Sequence, residues 1–168
     1  VPMLISLPGI IPQGIKEDAI LSAYDIFPTI LELSQIHSQE CEKLPGTSFA
    51  DLLMNREEKK PGDTEVVVFD EYGPVRMIRN KEWKYIHRYP YGPHELYHLA
   101  EDPDEKENLY GQEAYKKITV EMRKGLNEWF NKYVDEKVDG VKEGVTGLGQ
   151  MCRAGVYSEE KNTYYCEK

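Results

Sequence analysis

The fold of this chain is decided by residues 65–99, which read EVVVFDEYGPVRMIRNKEWKYIHRYPYGPHELYHL. Apolar and polar residues alternate here, and a period of two is typical of β-strands with one buried face. We expect four strands, over Glu65–Tyr72, Val75–Arg79, Glu82–Tyr89 and His94–Leu99. The connections between them are short turns rich in Gly, Pro and Asn, so successive strands must run antiparallel, as a meander.

A long amphipathic helix is predicted after the sheet, over about residues 111–136. Its apolar residues recur at steps of three and four: Tyr115, Ile118, Met122, Leu126, Trp129 and Tyr133. A stripe of this kind covers one face of a sheet. The predicted fold class is therefore α+β, a four-stranded antiparallel sheet packed by a long C-terminal helix.

The segment before the sheet has a different pattern. Residues 2–8 are nearly all apolar, which is typical of a strand buried on both faces, yet the sequence supplies no neighbouring strand for it. A helix is predicted over about 25–36, with Asp25 as N-cap, because Pro28 is tolerated in the first turn of a helix. The competing N-cap is Ser22, with Asp25 completing a capping box. The apolar side of this helix consists of Phe27, Ile30, Leu31 and Leu33.

Composition limits the classes of partner. The 168 residues carry 21 Lys and Arg against 30 Asp and Glu, a net charge of −9. This balance argues against nucleic acid or an anionic membrane surface as the main partner, because phosphate binding needs clustered cations. No apolar stretch approaches the roughly 20 residues that a membrane-spanning helix requires.

The termini and the cysteines bear on origin and compartment. The chain opens on Val1 without a charged segment and an apolar run, so we expect no signal peptide and a longer parent protein. The three cysteines, Cys41, Cys152 and Cys166, are a poor disulfide framework, although a Cys152–Cys166 bridge stays open. We expect a cytoplasmic location, with any targeting segment outside this chain. Predicted domains are residues 1–62 and 63–136, followed by a Gly-rich extended tail over 137–168.

One local motif suggests a metal site. His94-Glu95-Leu96-Tyr97-His98 matches H-E-x-x-H, the zinc peptidase signature, in which one helical turn brings both imidazoles to the same ion. If the segment is a strand, the two histidines are instead about 13 Å apart and cannot share a metal. The zinc peptidase is therefore an alternative that depends on secondary structure.

A second group of residues suggests an anion or sugar site. Cations and aromatic residues gather on the predicted hairpins, among them Tyr72, Arg76, Arg79, Lys84, His87, Arg88, Tyr89, Tyr91 and His94. Guanidinium groups match sulfate and carboxylate oxygens, and tyrosine rings pack on sugar faces. The alternative is a solvated strand face whose cations pair across strands with Glu65, Glu71 and Glu82.

Five short motifs follow one another along residues 1–110. They are Val1-Pro2-Met3-Leu4-Ile5 with Pro8-Gly9, YDIFPTILEL at 24–33, LPGTSF at 44–49, Arg79 with WKYI at 83–86, and ELYHLAEDPDEKENL at 95–109. In this order and spacing they resemble the C-terminal portion of formylglycine-dependent sulfatases, the arylsulfatase and N-sulfoglucosamine sulfohydrolase-like members of the alkaline phosphatase-like superfamily. His98 stands where that family usually has Asp, which would make the H-E-x-x-H match accidental.

The resemblance implies a fold and a division of labour. Residues 1–62 would be a strand and helix from the end of a large α/β domain, and 63–136 would be the small C-terminal subdomain. Formylglycine and calcium are implied in the full-length parent, where the formylglycine hydrate attacks sulfur and calcium offsets the developing charge. Neither Cys41 nor Cys152 matches C-x-P-x-R, so no catalytic residue, metal ligand or cofactor is assigned within this chain.

Function follows from the same resemblance. The parent is expected to hydrolyse sulfate esters, of a sugar or another small molecule, while this chain alone is expected to be inactive. It would complete the fold and line the substrate pocket, with substrate-binding residues Arg76, His87, Arg88, Tyr91 and His94. The alternative is the same role in a phosphodiesterase or phosphonate monoester hydrolase of the superfamily. The expected partner is the N-terminal catalytic domain, and without it the N-terminal strand and helix would drive self-association or remain disordered.

Overall fold

A computed structural model describes residues 3–39, 43–55, 65–69, 75–89, 92–135 and 139. The chain forms two compact units, Val1–Thr64 and Glu65–Lys168. The boundary predicted after residue 62 lies outside the described residues, as do the three cysteines and, apart from Asp139, the tail over 137–168. None of the helices in the described ranges has the length and apolar character needed to cross a bilayer.

The second unit contains the predicted meander. Its strands are β1 (Val66–Phe69), β2 (Val75–Arg79), β3 (Trp83–Arg88) and β4 (Glu95–His98), and they lie in the order β1-β2-β3-β4. Every neighbouring pair is antiparallel, as the short connections predicted. The β2–β3 turn is closed by the Asn80 side chain, whose oxygen accepts hydrogen bonds from the backbone N–H groups of Glu82 and Trp83 at 2.9 and 2.7 Å.

One face of the sheet carries the core. Helix α3 (Lys116–Tyr133) packs on this face, which confirms the predicted layer arrangement. The buried core residues are Val67, Ile78, Tyr85, Leu96, Leu109, Met122, Leu126 and Phe130. Phe130 was not part of the predicted stripe, although it lies four residues after Leu126 and therefore on the same side of the helix. Burial of these side chains supplies the main driving force for folding of this unit.

Helix α3 begins later than predicted. A 3-10 turn over Glu113–Tyr115 precedes it, and Gly111 adopts a φ of +86°, which is outside the helical range. The helix ends at Tyr133, because Val134 is extended with a ψ of 137°. The predicted range 111–136 therefore overestimated both ends, where local backbone geometry rather than the apolar stripe decides.

The first unit starts its helix from Ser22. A 3-10 turn over Ala23–Asp25 leads into α1 (Ile26–Leu33), and Ser22 and Asp25 form a reciprocal capping box. Asp25 occupies the residue before α1, but its side chain caps the preceding turn and not α1. Asp25 therefore holds the predicted N-cap position of α1, and the competing Ser22 capping box forms as well, on the 3-10 turn before the helix. Pro28 is the third residue of α1, a position where its missing N–H leaves no intrahelical bond unmade.

The strand predicted over residues 2–8 is not formed. Residues 3–7 have no regular secondary structure, and Leu4 is 97% exposed. A strand needs a paired neighbour, and the described part of this unit contains helices and turns only. The chain turns at Pro8-Gly9, where the N–H groups of Ile10 and Ile11 both bond to the Leu7 carbonyl.

The apolar side predicted for α1 is only partly covered, since Leu31 and Leu33 are half-buried. Phe27 and Ile30 are 51% and 55% exposed, and the buried residue of this helix is Thr29. A short second helix, α2 (Ala50–Leu53), packs on α1 and contributes the buried side chains of Ala50 and Leu52, beside buried Phe49. The unit therefore buries a small polar and apolar centre and leaves a larger apolar surface exposed.

Candidate functional site

The residues predicted to bind substrate lie on both faces of the sheet. Arg76 pairs with His87 in the β2–β3 register, and paired residues share a face, so both lie on the face covered by α3. Val75 pairs with Arg88, which places Arg88 on the opposite face. The predicted group therefore does not form one continuous cluster. Tyr91 lies outside the described residues.

His87 is a buried residue rather than an exposed one. Its side chain is 4% exposed, and its Nδ1 atom shares a hydrogen bond of 2.7 Å with the hydroxyl of Tyr85. The imidazole stacks on His94 at a centroid distance of 4.0 Å and contacts the edge of Tyr89 at 4.3 Å. In this arrangement His87 supports its neighbours and offers little surface to a ligand.

His94 lies at the start of β4, where it is half-buried. Its Nδ1 atom accepts a hydrogen bond of 3.2 Å from the backbone N–H of Arg88. A backbone N–H can only donate, so Nδ1 carries no proton and the neutral ring must carry its proton on Nε2. The ring packs against Tyr110 at 5.1 Å as well as against His87. His94 is therefore a positioned hydrogen-bond donor near the end of the β3–β4 hairpin.

The surroundings of both imidazoles favour their neutral forms. Burial, followed by His94 in its protonated form and by the positive charges of Arg123 and Arg76, lowers the pKa of His87 to about 3. Burial, followed by Arg123 and Arg88, also lowers the pKa of His94. Each protonated ring would lose hydration and face neighbouring cations. The imidazoles of His87 and His94 are therefore both neutral at physiological pH.

Arg76 is fixed inside the second unit. Its guanidinium forms an ion pair with the carboxylate of Asp139 and lies 3.6 Å from the centroid of the Phe130 ring. Tyr89 lies on another side at 5.3 Å. A guanidinium held between a carboxylate and aromatic faces is a common structural element.

Arg88 is also paired, on the opposite face of the sheet. Its Nη1 atom donates to the carboxylate of Glu95 and to the backbone carbonyl of Pro93, the latter at 2.9 Å. Tyr97 donates to the other oxygen of Glu95 at 2.9 Å, and burial together with this hydrogen bond raises the pKa of Tyr97 to about 12. Because a guanidinium has five N–H groups, these two acceptors leave donors of Arg88 for a further anion.

The carboxylates that pair with these cations differ from those predicted. Asp139 and Glu95 hold Arg76 and Arg88, where the sequence had suggested Glu65, Glu71 and Glu82, of which Glu71 lies outside the described residues, as does Tyr72. Burial and the nearby carboxylates of Glu121 and Glu128 raise the pKa of Glu65, so this group faces acids instead. Composition does not show which charged side chains become neighbours, because that depends on the strand register.

The H-E-x-x-H motif does not form a zinc site. Its residues from Glu95 to His98 form β4, so the helix that the zinc motif requires is missing. His94 stacks on His87, whereas His98 stacks on Trp83 at 4.2 Å and its Nδ1 atom lies 3.1 Å from the carboxylate of Glu101. The zinc peptidase alternative is therefore wrong.

Sequence reasoning missed the residue that fixes the position of His94. The side chain of Asn108 donates to the His94 carbonyl at 3.1 Å, and its oxygen accepts from the N–H groups of Leu96 and Tyr110 at 3.0 and 2.9 Å. Asn108 had drawn attention only as part of the motif at 95–109. The motif was the one signal in the sequence for this residue. Its three bonds to the backbone form only when the loop is folded, so they could not be predicted from local sequence.

Comparison with known proteins gives this arrangement a context. Residues 1–132 match the family described as N-sulphoglucosamine sulphohydrolase, C-terminal. A Delta 4,5-hexuronate-2-O-sulfatase of Bacteroides thetaiotaomicron is 32% identical over 143 residues, which are 81% of this chain and 29% of that protein. Arylsulfatase K of Gallus gallus is 34% identical over 121 residues, or 65% of this chain and 22% of that protein.

Solved structures agree with this result. A 2-O GAG sulfatase superposes with a TM-score of 0.55 at 30% identity, covering 67% of this chain and 25% of that one. The four-stranded sheet and its helix therefore correspond to the C-terminal region of sulfatases, which have the alkaline phosphatase-like fold. This chain belongs to the N-sulphoglucosamine sulphohydrolase C-terminal family. It spans less than a third of the length of each of these two relatives.

The superfamily alternative has weaker support. A phosphonate monoester hydrolase of Agrobacterium radiobacter superposes with a TM-score of 0.51 at 24% identity, covering 69% of this chain and 26% of that one. Identity at this level shows the shared fold alone. The sulfatase interpretation is the better supported of the two.

The described residues do not suit the calcium ion that sulfatases of this kind imply. Within the ranges that the structure describes, no group of three or more His, Cys, Asp or Glu side chains could hold a metal ion. Hard cations need several oxygen ligands that converge on one point. No catalytic step can therefore be assigned to a metal held by these residues.

Proposed function

We propose that this chain is the C-terminal region of an enzyme that hydrolyses sulfate esters of carbohydrates, and that the end of its β3–β4 hairpin forms part of the substrate pocket. The match over residues 1–132 carries the first half of this proposal. The names of the relatives, a hexuronate-2-O-sulfatase and a 2-O GAG sulfatase, support a sulfated sugar as substrate.

The proposed pocket wall is the end of the β3–β4 hairpin, where His94, supported by His87, lies on the face covered by α3 and Arg88 lies on the opposite face. With Nδ1 of His94 bound to the Arg88 N–H, the Nε2–H group is the donor left for a sugar hydroxyl or a sulfate oxygen. The free donors of the Arg88 guanidinium suit an anionic substituent on the substrate. Tyr91 belongs to the same proposal on sequence grounds, whereas Arg76, held by Asp139 and Phe130, would act by fixing the charge around His87.

Preorganisation supports this assignment. Asn108 holds the His94 backbone, and the His87 ring holds its imidazole, so the donor loses little conformational entropy when a ligand binds. Contacts to remote parts of a substrate accelerate an enzyme only if they persist in the transition state. A wall of this kind would therefore select the group that bears the sulfate and would not take part in bond cleavage.

The activity is tested with the whole protein that contains this chain. Sulfate release is measured on a Delta 4,5-hexuronate 2-O-sulfate disaccharide, an N-acetylglucosamine 6-O-sulfate, an aryl sulfate and a phosphonate monoester. We expect turnover of a sulfated sugar at a kcat/KM well above that for the phosphonate. The isolated 168-residue chain serves as the control and should release no sulfate. Preferred turnover of the phosphonate would contradict the proposal.

The pocket wall is tested with Arg88→Ala and His94→Ala in the same protein. A pocket role predicts a loss of kcat/KM of at least about tenfold on the sugar and a smaller loss on the aryl sulfate, which makes fewer remote contacts. Lys84→Ala is the matched control, because Lys84 lies on the same strand face as Arg88 but pairs with Glu105 at 2.6 Å, away from the hairpin end. Equal losses on both substrates, or losses in Lys84→Ala as well, would indicate a structural role.

A further inference from the structure

We propose that His94 is an acid-sensitive clasp between the end of β3 and the start of β4, and that protonation of its imidazole releases this end of the hairpin without unfolding the sheet. The proposal concerns conformation and does not depend on the substrate assigned above.

The bonding pattern at Nδ1 carries the inference. This atom accepts a hydrogen bond from the backbone N–H of Arg88, so it is the unprotonated ring nitrogen of neutral His94. A further proton on the ring must therefore bind at Nδ1. Once Nδ1 is protonated, two N–H donors point at one another across about 3 Å. The hydrogen bond must then break, whatever the strength of the other contacts. If the donor were a hydroxyl, it could rotate and accept a hydrogen bond from the protonated ring, whereas a backbone N–H cannot.

The position of Arg88 makes this bond important for the hairpin end. The last β3–β4 pair is Ile86 with Glu95, so the N–H of Arg88 lies beyond the β3–β4 register and takes its acceptor from a side chain. Three other contacts of Arg88 hold the same end: its carbonyl accepts from the Gly92 N–H, and its side chain donates to the Pro93 carbonyl and to the Glu95 carboxylate. The Asn108 side chain also donates to the His94 carbonyl. Loss of the clasp therefore removes the bond from the Arg88 backbone N–H and leaves the end held by these remaining contacts.

The groups around His94 oppose its protonation. From β3 it faces His87, stacked at 4.0 Å, and Arg88; from α3 it faces Arg123. Tyr110 packs on its edge, and its neighbour Glu95 is already paired with Arg88. Behind His87 lie Tyr85, Tyr89 and Arg76. A proton on His94 is therefore added to a group of cations and aromatic rings, and separation of the hairpin end relieves the repulsion.

Nuclear magnetic resonance on the full 168-residue chain tests the clasp directly. Amide hydrogen exchange is followed from pH 7.5 downward, and each rate is divided by the intrinsic rate at the same pH to give a protection factor. We expect the protection factor of Arg88 to fall about tenfold as His94 is protonated, a change equivalent to one ordinary hydrogen bond. The core amides of Ile78 and Leu126 report global unfolding, so their protection should fall only by the loss of stability that urea unfolding measures at the same pH. A fall of Arg88 only in step with these core amides would overturn the proposal.

Two variants separate the clasp from other histidine effects. In His94→Asn the side-chain oxygen can accept from the Arg88 N–H but cannot titrate, so Arg88 should stay protected at acid pH. His98→Asn is the matched control, because His98 stacks on Trp83 at the other end of β4, and it should keep the pH dependence of the unmodified chain. The same pH dependence in His94→Asn as in the unmodified chain would overturn the proposal.

A measurement on the unmodified chain tests the clasp even if the asparagine in His94→Asn does not accept a hydrogen bond from the Arg88 N–H. The ring nitrogens of His94 are observed by long-range proton–nitrogen correlation across the same pH range. We expect Nδ1 to change from an unprotonated to a protonated nitrogen with the same midpoint as the change at the Arg88 amide. Different midpoints for the two signals would contradict the clasp.

Discussion

The Oδ1 atom of Asp25 accepts a hydrogen bond of 2.8 Å from the backbone N–H of Thr47, which lies 22 residues further along the chain. The other carboxylate oxygen accepts from the Ser22 N–H at 2.7 Å, and the Asp25 carbonyl accepts from the Thr29 hydroxyl at 2.6 Å. Thr29 in turn accepts from the Phe49 N–H at 3.0 Å. The start of α1 is thereby joined to the segment before α2 through a buried polar network.

Replacement of Thr29 by Val should destabilise the first unit by about 1–3 kcal/mol. The substitution keeps the shape of the side chain but removes the acceptor for the buried Phe49 N–H, which is then left without its partner. Hydrogen exchange at Phe49 should accelerate strongly. Thr119→Val is the matched control, since Thr119 makes the same bond to a carbonyl four residues earlier, at 3.0 Å, and should have a smaller effect. Comparable losses in the two variants would contradict the role of the network.

Gly46→Ala should prevent the segment before α2 from packing on α1. Gly46 has a φ of +112°, and a Cβ atom there would lie 2.3 Å from the Tyr24 carbonyl oxygen, which belongs to rigid backbone. Gly14→Ala is the control, because its φ is also positive at +75° but its Cβ would meet no atom within 4 Å. We expect loss of Phe49 protection in Gly46→Ala and near-native protection in Gly14→Ala, measured by exchange mass spectrometry.

The second unit should lose stability in acid because of His87. The pKa of an unfolded histidine is near 6.5, whereas burial and neighbouring cations lower it to about 3 in the fold. Between these values the unfolded chain binds a proton that the folded chain does not. The free energy of unfolding is therefore highest above pH 6.5, and it decreases as the pH falls from 6.5 towards 3. At pH 5 the free energy of unfolding should be about 2 kcal/mol lower than at pH 7.5.

Urea unfolding followed by fluorescence measures this dependence, since both tryptophans, Trp83 and Trp129, lie in the second unit. His87→Asn should reduce the slope of stability against pH, because the titrating group is gone. His37→Asn, at an exposed histidine of the first unit, should leave the slope unchanged. An unchanged slope in His87→Asn would show that other groups cause the acid sensitivity.

The uncovered side of α1 should make the isolated chain self-associate. Phe27 and Ile30 lie on one side of the helix and are 51% and 55% exposed. Sedimentation velocity should show association that grows with concentration, and Phe27→Ser with Ile30→Ser should reduce it, because contiguous exposed apolar surface drives association. Val120→Ser is the control, an apolar residue of α3 that is 62% exposed by itself. A concentration-independent monomer would contradict this prediction.

Local patterns were sufficient for the second unit. The alternation over 65–99 predicted four antiparallel strands, and the bounds of Val75–Arg79 agree residue for residue. Short turns and an apolar stripe act within a few residues of the chain, so their outcome is encoded where they occur. The resemblance of five short motifs likewise identified the sulfatase family, which the comparison confirms.

The candidate site could be predicted only in part. The sequence pointed to the β3–β4 hairpin and to His87, Arg88 and His94, but it could not assign Arg88 to one face and Arg76 to the other before the register was known. The burial of His87 was also hidden, since exposure depends on what packs above a strand and not on its own alternation. Asn108 acts on His94 across fourteen residues, and no local period reports such a contact.

The sequence by itself determined the strands, the long helix and the turn at Asn80, because these follow from neighbouring residues and from the burial of one face. Only the tertiary structure decided that residues 3–7 remain unpaired, that Asp139 and Glu95 hold the two arginines, and that His94 bonds to Arg88 through Nδ1. A strand needs a second strand and a charge needs a partner, and both lie far away along the chain. Register and packing bring those groups together, and they are properties of the whole fold.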